Sequence, residues 1–324
     1  MLEALFQRHE PTANPPNVIG RLAPSPTGGL HLGNARTFLI AWLAAKSRNG
    51  RILLRIEDID AERRRPEAIN AVVEDLQWLG LDWDDTPIYQ STRLEQYRRA
   101  LERLRAMELV YPCTCTRADI ARAASAPHES DQGPDYPGTC AIRSSKDAET
   151  LADRKFAWRF RVPIGRIDWN DLAQGPISLD LSGIGGDFVV GRSSGEPAYQ
   201  LAVVVDDAAM KVTQVIRGDD LASSTPRQIL IFQSLGFSLP EFGHVPLVVD
   251  ENGLRLAKRD GSIKLSMLRE QGVDPRKIIG LLARSCGLSE RLEPLWPDDW
   301  VERFSFKAIP SEAWRLSNDW LTVF

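Results

Sequence analysis

The sequence predicts an α/β fold in which a parallel sheet is flanked by helices. Two short apolar segments with β character, Val18–Ala23 and Arg51–Asp58, are separated by a stretch with helical spacing, Ala35–Lys46. Two further helical patterns, Pro66–Leu79 and Leu94–Met107, follow the second segment. Strands that alternate with helices form parallel sheets, because the chain must cross over the sheet before the next strand can run in the same direction. Ligands of such sheets bind beyond the carboxyl ends of the strands, which makes the loop after Val18–Ala23 a candidate site.

The alternating pattern breaks at Tyr111, and the chain stays irregular to about Gly186, with one short strand-like segment at Phe156–Val162. We therefore expect an insertion that splits the fold into two halves. Beyond it the apolar patterns predict four strands and a helix: Phe188–Val190, Leu201–Val205, Val212–Ile216 and Val245–Val249 as strands, and Pro226–Leu235 as the helix. The last part, from Pro275–Cys286 onward to Phe324, is predicted to be helical, with tryptophans that pack in a core.

Composition limits the classes of protein to which the chain can belong. With 43% hydrophobic and 26% charged residues, the composition is typical of globular proteins, and the length of 324 residues is enough for two domains. No apolar run is long enough to span a membrane and no signal-peptide pattern opens the chain, so we expect a cytoplasmic protein without membrane contact. The net charge of −4 argues against a surface coated in basic residues, but it is compatible with a local basic stripe that contacts RNA phosphates.

The loop Pro24–Asn34 has the composition of an anion-binding site. It follows the first predicted strand and opens the first predicted helix, so unpaired N–H groups of the helix N-terminus face it. Its glycines, Gly33 among them, allow the backbone to approach a ligand closely, and His31 can donate to phosphate oxygens. A histidine in a lone His-x-Gly pattern is more simply explained by core packing, and the prediction of a nucleotide site depends on the whole loop.

Further motifs occur along the chain in a fixed order. They are Arg21–Gly28, Arg55–Asp60, Tyr199–Leu201 with Asp206 and Asp207, Ile216–Leu221, and Leu256–Gly261. Together with Pro24–Asn34 they resemble, motif by motif, the class I aminoacyl-tRNA synthetases of the glutamyl branch, over roughly residues 18–110 and 185–290. The resemblance implies a Rossmann-like catalytic sheet. It also implies a reaction in which the carboxylate of L-glutamate attacks the α-phosphate of ATP, with Mg²⁺ accompanying the nucleotide.

The resemblance also assigns roles to individual residues. It implies a glutamate site formed by Arg21, Leu22, Ala23, Pro24, Ser25, Glu57, Tyr199 and Arg217. It implies an ATP site formed by His31, Gly33, Asn34 and Lys258, of which His31 and Lys258 are the catalytic residues. A substrate with two carboxylates and one ammonium group needs cations and an anion, and the two arginines and Glu57 supply both signs. Two simpler interpretations stay open at this point: Tyr199 as a half-buried strand residue, and Lys258 as a surface lysine.

Three positions depart from the family pattern. The His-x-Gly signature often ends in a second histidine, and Asn34 occupies that place here, which puts a phosphate contact from it in doubt. In the downstream lysine loop Lys258 is kept, whereas Ala257 cannot supply the family's hydroxyl and Arg255 replaces a lysine with its charge retained.

Three cysteines of the predicted insertion suggest a metal site. Cys113, Cys115 and Cys140 are close in a chain expected to be cytoplasmic, where thiols bind metals more often than they form disulfides. Zinc needs a fourth ligand. The family resemblance implies Tyr136, and His128 stays open as the chemically commoner ligand, as does the interpretation that the cysteines are free. We expect the zinc to be structural, because a small loop-rich insertion has little core of its own.

These observations predict five segments. Residues 1–17 form a flexible leader, 18–110 the first half of the catalytic domain, and 111–186 a zinc-containing insertion similar to an acceptor-binding domain. Residues 187–260 form the second half with the lysine loop, and 261–324 a helical region without an anticodon-binding domain.

The short stretch after the lysine loop resembles the truncated members of the glutamyl branch. The resemblance implies a monomer that activates glutamate without tRNA and then esterifies it to queuosine at the wobble position of tRNA(Asp). Conventional charging of tRNA(Glu) is the alternative within the family. Two alternatives lie outside it: a non-catalytic relative that binds tRNA or glutamate, suggested by Asn34 and Ala257, and a small nucleotidyltransferase that acts on a metabolite.

Overall fold

Parallel strands form the centre of the molecule. The computed structural model describes residues 18–26, 28–60, 66–123, 135–151, 153–256 and 264–317. The strands of the described residues are, in chain order, β1 (Ile19–Leu22), β2 (Arg51–Ile56), β3 (Asp84–Tyr89), β4 (Val110–Cys113), β5 (Ala157–Phe160), β6 (Arg166–Asp171), β7 (Gly175–Asp180), β8 (Phe188–Gly191), β9 (Gln214–Gly218), β10 (Glu241–Val245), β11 (Val248–Val249) and β12 (Trp314–Arg315). The helices are α1 (Leu32–Lys46), α2 (Pro66–Trp78), α3 (Leu94–Ala106), α4 (Arg117–Ala123), α5 (Tyr199–Ala209), α6 (Thr225–Leu235), α7 (Leu265–Glu270) and α8 (Pro275–Ser285).

The parallel strands lie in two sheets that meet side by side. One sheet has the order β1-β2-β3 and the other β7-β6-β10-β9, with all neighbours parallel except the β6–β7 hairpin. At the junction the Ile19 N–H donates to Thr213 Oγ1 over 2.9 Å, and the Thr213 N–H donates to the Ile19 carbonyl over 2.9 Å. Strands β1 and β9 are therefore neighbours, and the fold is the predicted α/β arrangement. After β3 the chain leaves the parallel strands, and it returns with β9 beside β1.

Helix α1 holds the two sheets together because it is apolar on nearly every side. Leu39, Ile40 and Leu43 are fully buried, and Trp42 is 1% exposed, with its indole N–H donating to Asp82 Oδ1. A helix without a polar face must be covered all round. Here α1 packs on β1 and β9 with one face and on α8 with the other. It therefore fixes the positions of both strands relative to each other.

Most predicted elements are confirmed, and Leu201–Val205 is the main exception. This segment lies in helix α5 and not in a strand, and its five residues are all buried. A short apolar run that is covered on all sides has neither period 2 nor a polar face, so its sequence cannot distinguish a buried helix from a buried strand. Strand β3 was not predicted, because it contains Pro87 and begins with three polar residues. Such a sequence is tolerated only in an edge strand and lacks the apolar alternation typical of strands.

The part of the chain after α8 is also less helical than predicted. As far as the structure describes it, to residue 317, it forms two 3₁₀ segments and the short strand β12. Trp300 is fully buried, as expected for a core residue, whereas Trp296 is 43% exposed. Trp320 and the leader 1–17 lie outside the described residues.

The segment 111–186 contributes to two sheets. With Val110, its first strand enters an antiparallel sheet of order β4-β5-β8. Its hairpin β6–β7 instead extends the parallel sheet, where Asp171 lies in register with Phe242 of β10. The residues expected as a separate insertion therefore also complete the sheet that carries the site.

No helix of the described residues is long and apolar enough to cross a bilayer.

A buried carboxylate between α2 and α7 predicts a pH dependence of stability. Asp75 is fully buried, Arg269 Nη1 lies 3.5 Å from its Oδ1, and burial raises the Asp75 pKa to about 6 despite that arginine. Since the folded state then holds the proton more tightly than the unfolded state, stability falls as pH rises from about 4 to 6, by at most about 3 kcal/mol. Asp75→Asn is expected to unfold at a higher temperature than the wild type at pH 7.5 and at a similar one near pH 4. A difference in melting temperature that did not change with pH would contradict this assignment.

Candidate active site

A cavity of about 560 Å³ lies at the carboxyl ends of β1, β2 and β9, between the N-termini of α1 and α5. This is the place where open parallel sheets bind ligands. Ten predicted site residues line it: Arg21, Ala23, Pro24, Ser25, His31, Gly33, Asn34, Glu57, Tyr199 and Arg217. Residues more than 190 positions apart in the chain are thus brought to one cavity.

Two predicted residues are not among them. Leu22 does not line the cavity, because it is fully buried in the core between the sheet and α1. Adjacent residues of a strand face opposite sides, so the neighbours Arg21 and Ala23 face the cavity when Leu22 faces the core. Lys258 lies outside the described residues.

His31 is the N-cap of α1. Its Nδ1 accepts from the Gly33 N–H over 3.2 Å, and its own N–H donates to Asn34 Oδ1 over 3.4 Å. A Cβ on Gly33 would lie 3.1 Å from the imidazole, so glycine leaves room for the ring in this position. Asn34 therefore has a local function in the structure, since it completes the cap of the helix whose N-terminus faces the cavity.

Arg21 is buried with much of its hydrogen-bonding capacity unused. Its Nη1 donates to the Ile216 carbonyl over 3.0 Å, while Nε, 3.7 Å from Asp207 Oδ1, has no hydrogen-bond partner in the described structure. Burial lowers the Arg21 pKa; Asp207 opposes this shift, whereas Arg55 and Arg217 add to it. Arg21 lines the cavity and only its Nη1 donates within the described structure, so the guanidinium has donors left for an anionic ligand.

Glu57 supplies the negative charge of the cavity. Arg55 Nη2 donates to its Oε1 over 3.0 Å, and Arg55 Nη1 donates to Asp207 Oδ1 over 2.5 Å. Burial raises the Glu57 pKa, and the neighbouring Arg55 limits the increase. Arg55 is itself fully buried and holds the Glu57 carboxylate from the protein interior. The side of that carboxylate that lines the cavity is available for an ammonium group.

Sequence reasoning missed the residues that surround Arg217. Its guanidinium, on a residue only 4% exposed, donates to three side chains of β10 and α6, those of His244, Thr225 and Gln228. It also missed an ion pair at the mouth of the cavity, between Arg255 Nη1 and Asp220 Oδ2 at 2.6 Å. The residues around Arg217 have one indication in the sequence. His244 lies among buried residues of strand β10, where a histidine needs a polar partner.

The three cysteines of the predicted metal site meet in the structure. Their Sγ atoms all lie within 4.8 Å of one another, and those of Cys115 and Cys140 are 3.7 Å apart. Tetrahedral zinc with Zn–S bonds of about 2.3 Å places two sulfurs about 3.8 Å apart. Burial raises the Cys140 pKa, but hydrogen bonds from the Thr114 backbone, Cys115 and Tyr136 outweigh it and lower that pKa to about 7. The donor set therefore fits a zinc ion.

Tyr136 is placed next to the cysteines. Its Oη lies 3.4 Å from Cys113 Sγ and accepts from the Cys140 N–H over 2.8 Å. Zinc ligands of the S and O type are about 3.5 Å apart when both bind the ion, so the hydroxyl is in range of a fourth ligand position. The alternative, His128, lies outside the described residues.

Comparison with known proteins defines the class. A family model described as the catalytic domain of class I tRNA synthetases for glutamate and glutamine (E and Q) matches residues 17–310. The chain belongs to this family of ligases, and the predicted resemblance to the glutamyl branch and its α/β class I fold is confirmed.

Individual relatives narrow the comparison. The chain is 48% identical to the Glutamyl-Q tRNA(Asp) synthetase of Symbiobacterium thermophilum, over 92% of this chain and 96% of that protein. It is 40% identical to the Glutamate–tRNA ligase of Geobacter sulfurreducens, over 90% of this chain and 62% of that protein. A crystal structure of a glutamate tRNA ligase from Elizabethkingia meningosepticum, in complex with its amino acid, is similar with a TM-score of 0.80 and 28% identity, covering 94% of this chain and 68% of that one.

Proposed function

We propose that the protein activates L-glutamate with ATP and Mg²⁺ in the absence of tRNA, and transfers the glutamyl group to queuosine at the wobble position of tRNA(Asp). The observation that carries the proposal is the single cavity in which Arg21, Arg217 and Glu57 lie next to the N-terminus of α1. The relative named Glutamyl-Q tRNA(Asp) synthetase, similar over 96% of its own length, supports the acceptor.

The charges of the cavity suit an acidic amino acid. Two buried guanidinium groups can each donate to a carboxylate of the substrate, and the Glu57 carboxylate can bind the substrate ammonium. Glutamine would leave one of the arginines without an anionic partner. Because such discrimination depends on buried charged donors, it is stronger than discrimination by shape.

The activation step forms one P–O bond and breaks another. A carboxylate oxygen of glutamate attacks the α-phosphorus of ATP, and pyrophosphate leaves with the bonding electrons. The N–H groups at the start of α1, capped by His31, lie where they can stabilise the phosphate oxygens. Arg21 and Glu57 hold the amino acid in line, which converts the reaction of two molecules into a reaction within one complex.

The support for activation without tRNA is that hydrogen bonds within this chain hold the charged groups of the described part of the cavity. Arg217 has three hydrogen bonds to neighbouring side chains, and Glu57 is fixed by Arg55. A site that is already ordered does not need a second molecule to organise it.

The proposal is tested in two stages with the purified protein. Glutamate-dependent exchange of labelled pyrophosphate into ATP, with no tRNA present, tests activation. Transfer of labelled glutamate to tRNA(Asp) with and without queuosine tests the acceptor. Exchange without glutamate dependence would contradict the first stage, and transfer that does not require queuosine would contradict the second.

Conventional charging of tRNA(Glu) is the second candidate, and the 40% identity to a Glutamate–tRNA ligase supports it. Removing the 3′-terminal adenosine of the acceptor distinguishes the two. Charging of tRNA(Glu) needs that ribose, whereas esterification of a wobble base does not. Transfer that is lost with the terminal adenosine would therefore favour this candidate.

We also propose that Cys113, Cys115, Cys140 and Tyr136 hold a structural zinc ion. The distances between their ligand atoms support this donor set. The ion would cross-link the end of β4 to the segment after residue 134. It would take no part in the reaction at the cavity.

Lys258 is proposed as the mobile cation that neutralises the leaving pyrophosphate. Lys258→Ala removes one charged donor that acts in the transition state, so we expect kcat of the exchange reaction to fall about 100-fold with the fold unchanged. Lys307→Ala, an exposed lysine of the C-terminal region, is the matched control. Equal exchange rates in the two variants would remove Lys258 from the mechanism.

A further inference from the structure

A buried hydrogen-bonded chain lies behind Arg217, and the glutamate-site motifs do not include it. Arg217 Nε donates to His244 Nε2 over 3.1 Å, and His244 Nδ1 lies 2.5 Å from Asp171 Oδ2. Both His244 and Asp171 are buried, at 0% and 1% exposure. The chain therefore runs from the carboxyl end of β6 through β10 to the cavity-lining arginine of β9.

The neighbours of His244 Nε2 assign the tautomer of the ring. Arg217 Nε donates to this nitrogen over 3.1 Å, and Thr225 Oγ1 lies 2.9 Å from it; with Nε2 as the acceptor, the ring proton is on Nδ1 and is donated to Asp171. Asp171 stays ionised, since its Oδ1 also accepts from the backbone N–H groups of His244, Ala173 and Gln174. Burial lowers the His244 pKa and the adjacent Arg217 lowers it further; Asp171 opposes this shift without reversing it, so the ring stays neutral.

Two more contacts complete the environment of the guanidinium. Nη1 donates to Gln228 Oε1 over 2.8 Å and Nη2 donates to Thr225 Oγ1 over 2.8 Å. An arginine has five N–H donors. Three are used by described residues, so each terminal nitrogen keeps one donor that no described residue occupies. These two donors are left for a ligand of the cavity that Arg217 lines.

We propose that Asp171 and His244 are positioning residues, which fix the orientation of the Arg217 guanidinium for a carboxylate of the amino acid substrate. The inference rests on the proposed function, and Asp171 and His244 would affect glutamate only through Arg217. A buried charge such as that of Asp171 is weak evidence for a role in stability, so the location of the Asp171–His244 pair directly behind a cavity-lining arginine favours a role in orientation.

The test is glutamate-dependent ATP–pyrophosphate exchange by the full chain, with KM measured separately for glutamate and ATP. His244→Phe keeps an aromatic ring, parallel to Phe242, and removes the acceptor for Arg217 Nε. We expect the KM for glutamate to rise 10- to 100-fold, while the KM for ATP and kcat at saturating glutamate change less than threefold. His244→Gln places an amide oxygen near the Nε2 position and is expected to recover most of the loss.

Asp171→Asn keeps the shape of the side chain but removes its charge and replaces one of its two acceptor oxygens by an NH₂ group, and a rise of about 3- to 10-fold in the KM for glutamate is expected. Phe232→Leu, in the core outside this chain of hydrogen bonds, is the matched control for general destabilisation, and melting temperatures are recorded for all variants. If His244→Phe does not fold, the comparison of Asp171→Asn and His244→Gln with Phe232→Leu decides.

The outcomes separate the two levels of the proposal. A glutamate KM within twofold of the wild type in His244→Phe overturns the inference and leaves the proposed function intact. Equal losses for glutamate and ATP, as in the Phe232→Leu control, also overturn it, because they indicate a structural role. Wild-type exchange that does not depend on glutamate overturns the proposed function and the inference with it.

Discussion

Arg21→Met is expected to lower kcat/KM for glutamate about 1,000-fold in the exchange reaction. Arg21 is buried, and its Nε has no hydrogen-bond partner in the described structure. Two charge-assisted hydrogen bonds to a carboxylate are together worth about 4 kcal/mol, and each 1.4 kcal/mol corresponds to a factor of ten. The loss is expected mainly in the KM for glutamate, because the arginine binds the amino acid in the ground state as well as in the transition state.

Two companion variants make this result specific. Arg21→Lys keeps the charge but not the bidentate geometry, so recovery of about tenfold is expected. Arg51→Met makes the same chemical change on the neighbouring strand β2, where the exposed guanidinium pairs with Asp85 away from the cavity. A similar loss in Arg51→Met, or unchanged kinetics in Arg21→Met, would show that Arg21 does not bind the substrate.

Cys115→Ser is expected to abolish stoichiometric zinc binding and to loosen the segment around β4 and α4. Binding of structural zinc is coupled to folding, so its loss removes several kcal/mol of local stability. Hydrogen exchange should therefore accelerate in residues 110–123 and 135–151, whereas β1 and β2 keep their protection because they belong to another core. Metal content measured on the purified variant checks the first part of the prediction.

Cys286 provides the control within the same chain. It is fully buried at the end of α8, outside the cysteine cluster. Cys286→Ser is expected to keep one zinc per chain and normal exchange rates around β4. Full metal content in Cys115→Ser would show that the ligand assignment is wrong, whatever the stability of that variant.

The strands and helices whose apolar residues recur at a regular spacing could be predicted from the sequence, and the elements without such a spacing could not. Segments such as Ile19–Leu22 and Leu94–Ala106 carry flanking turns or a strong apolar face. The α5 segment Leu201–Val205 has neither, because it is covered on every side and packs between α3, α6 and β8. Its conformation depends on neighbours that are distant in the chain, and local propensity is too weak to decide between the two alternatives.

The same distinction applies to the candidate site. Charged residues in recognisable motifs, such as Arg21, Glu57 and Arg217, were named from the sequence, and the structure brings them to one cavity. The residues that support Arg217 were not named. Asp171 and His244 are separated by more than 70 positions, and no spacing rule connects residues that meet only because β6 pairs with β10.

By itself the sequence determined the class of fold, the family, and the types of charge that the cavity presents. The fold class follows from periodicity, the family from the resemblance of its ordered motifs, and the charges from residue chemistry. Only the tertiary structure decided which donors of each arginine are already used, which side chains lie behind them, and whether the three thiols are close enough for one ion. Those properties are distances of a few ångströms between residues far apart in the chain. They are set by how the sheets pair and how the core packs, and the order of residues does not encode them locally.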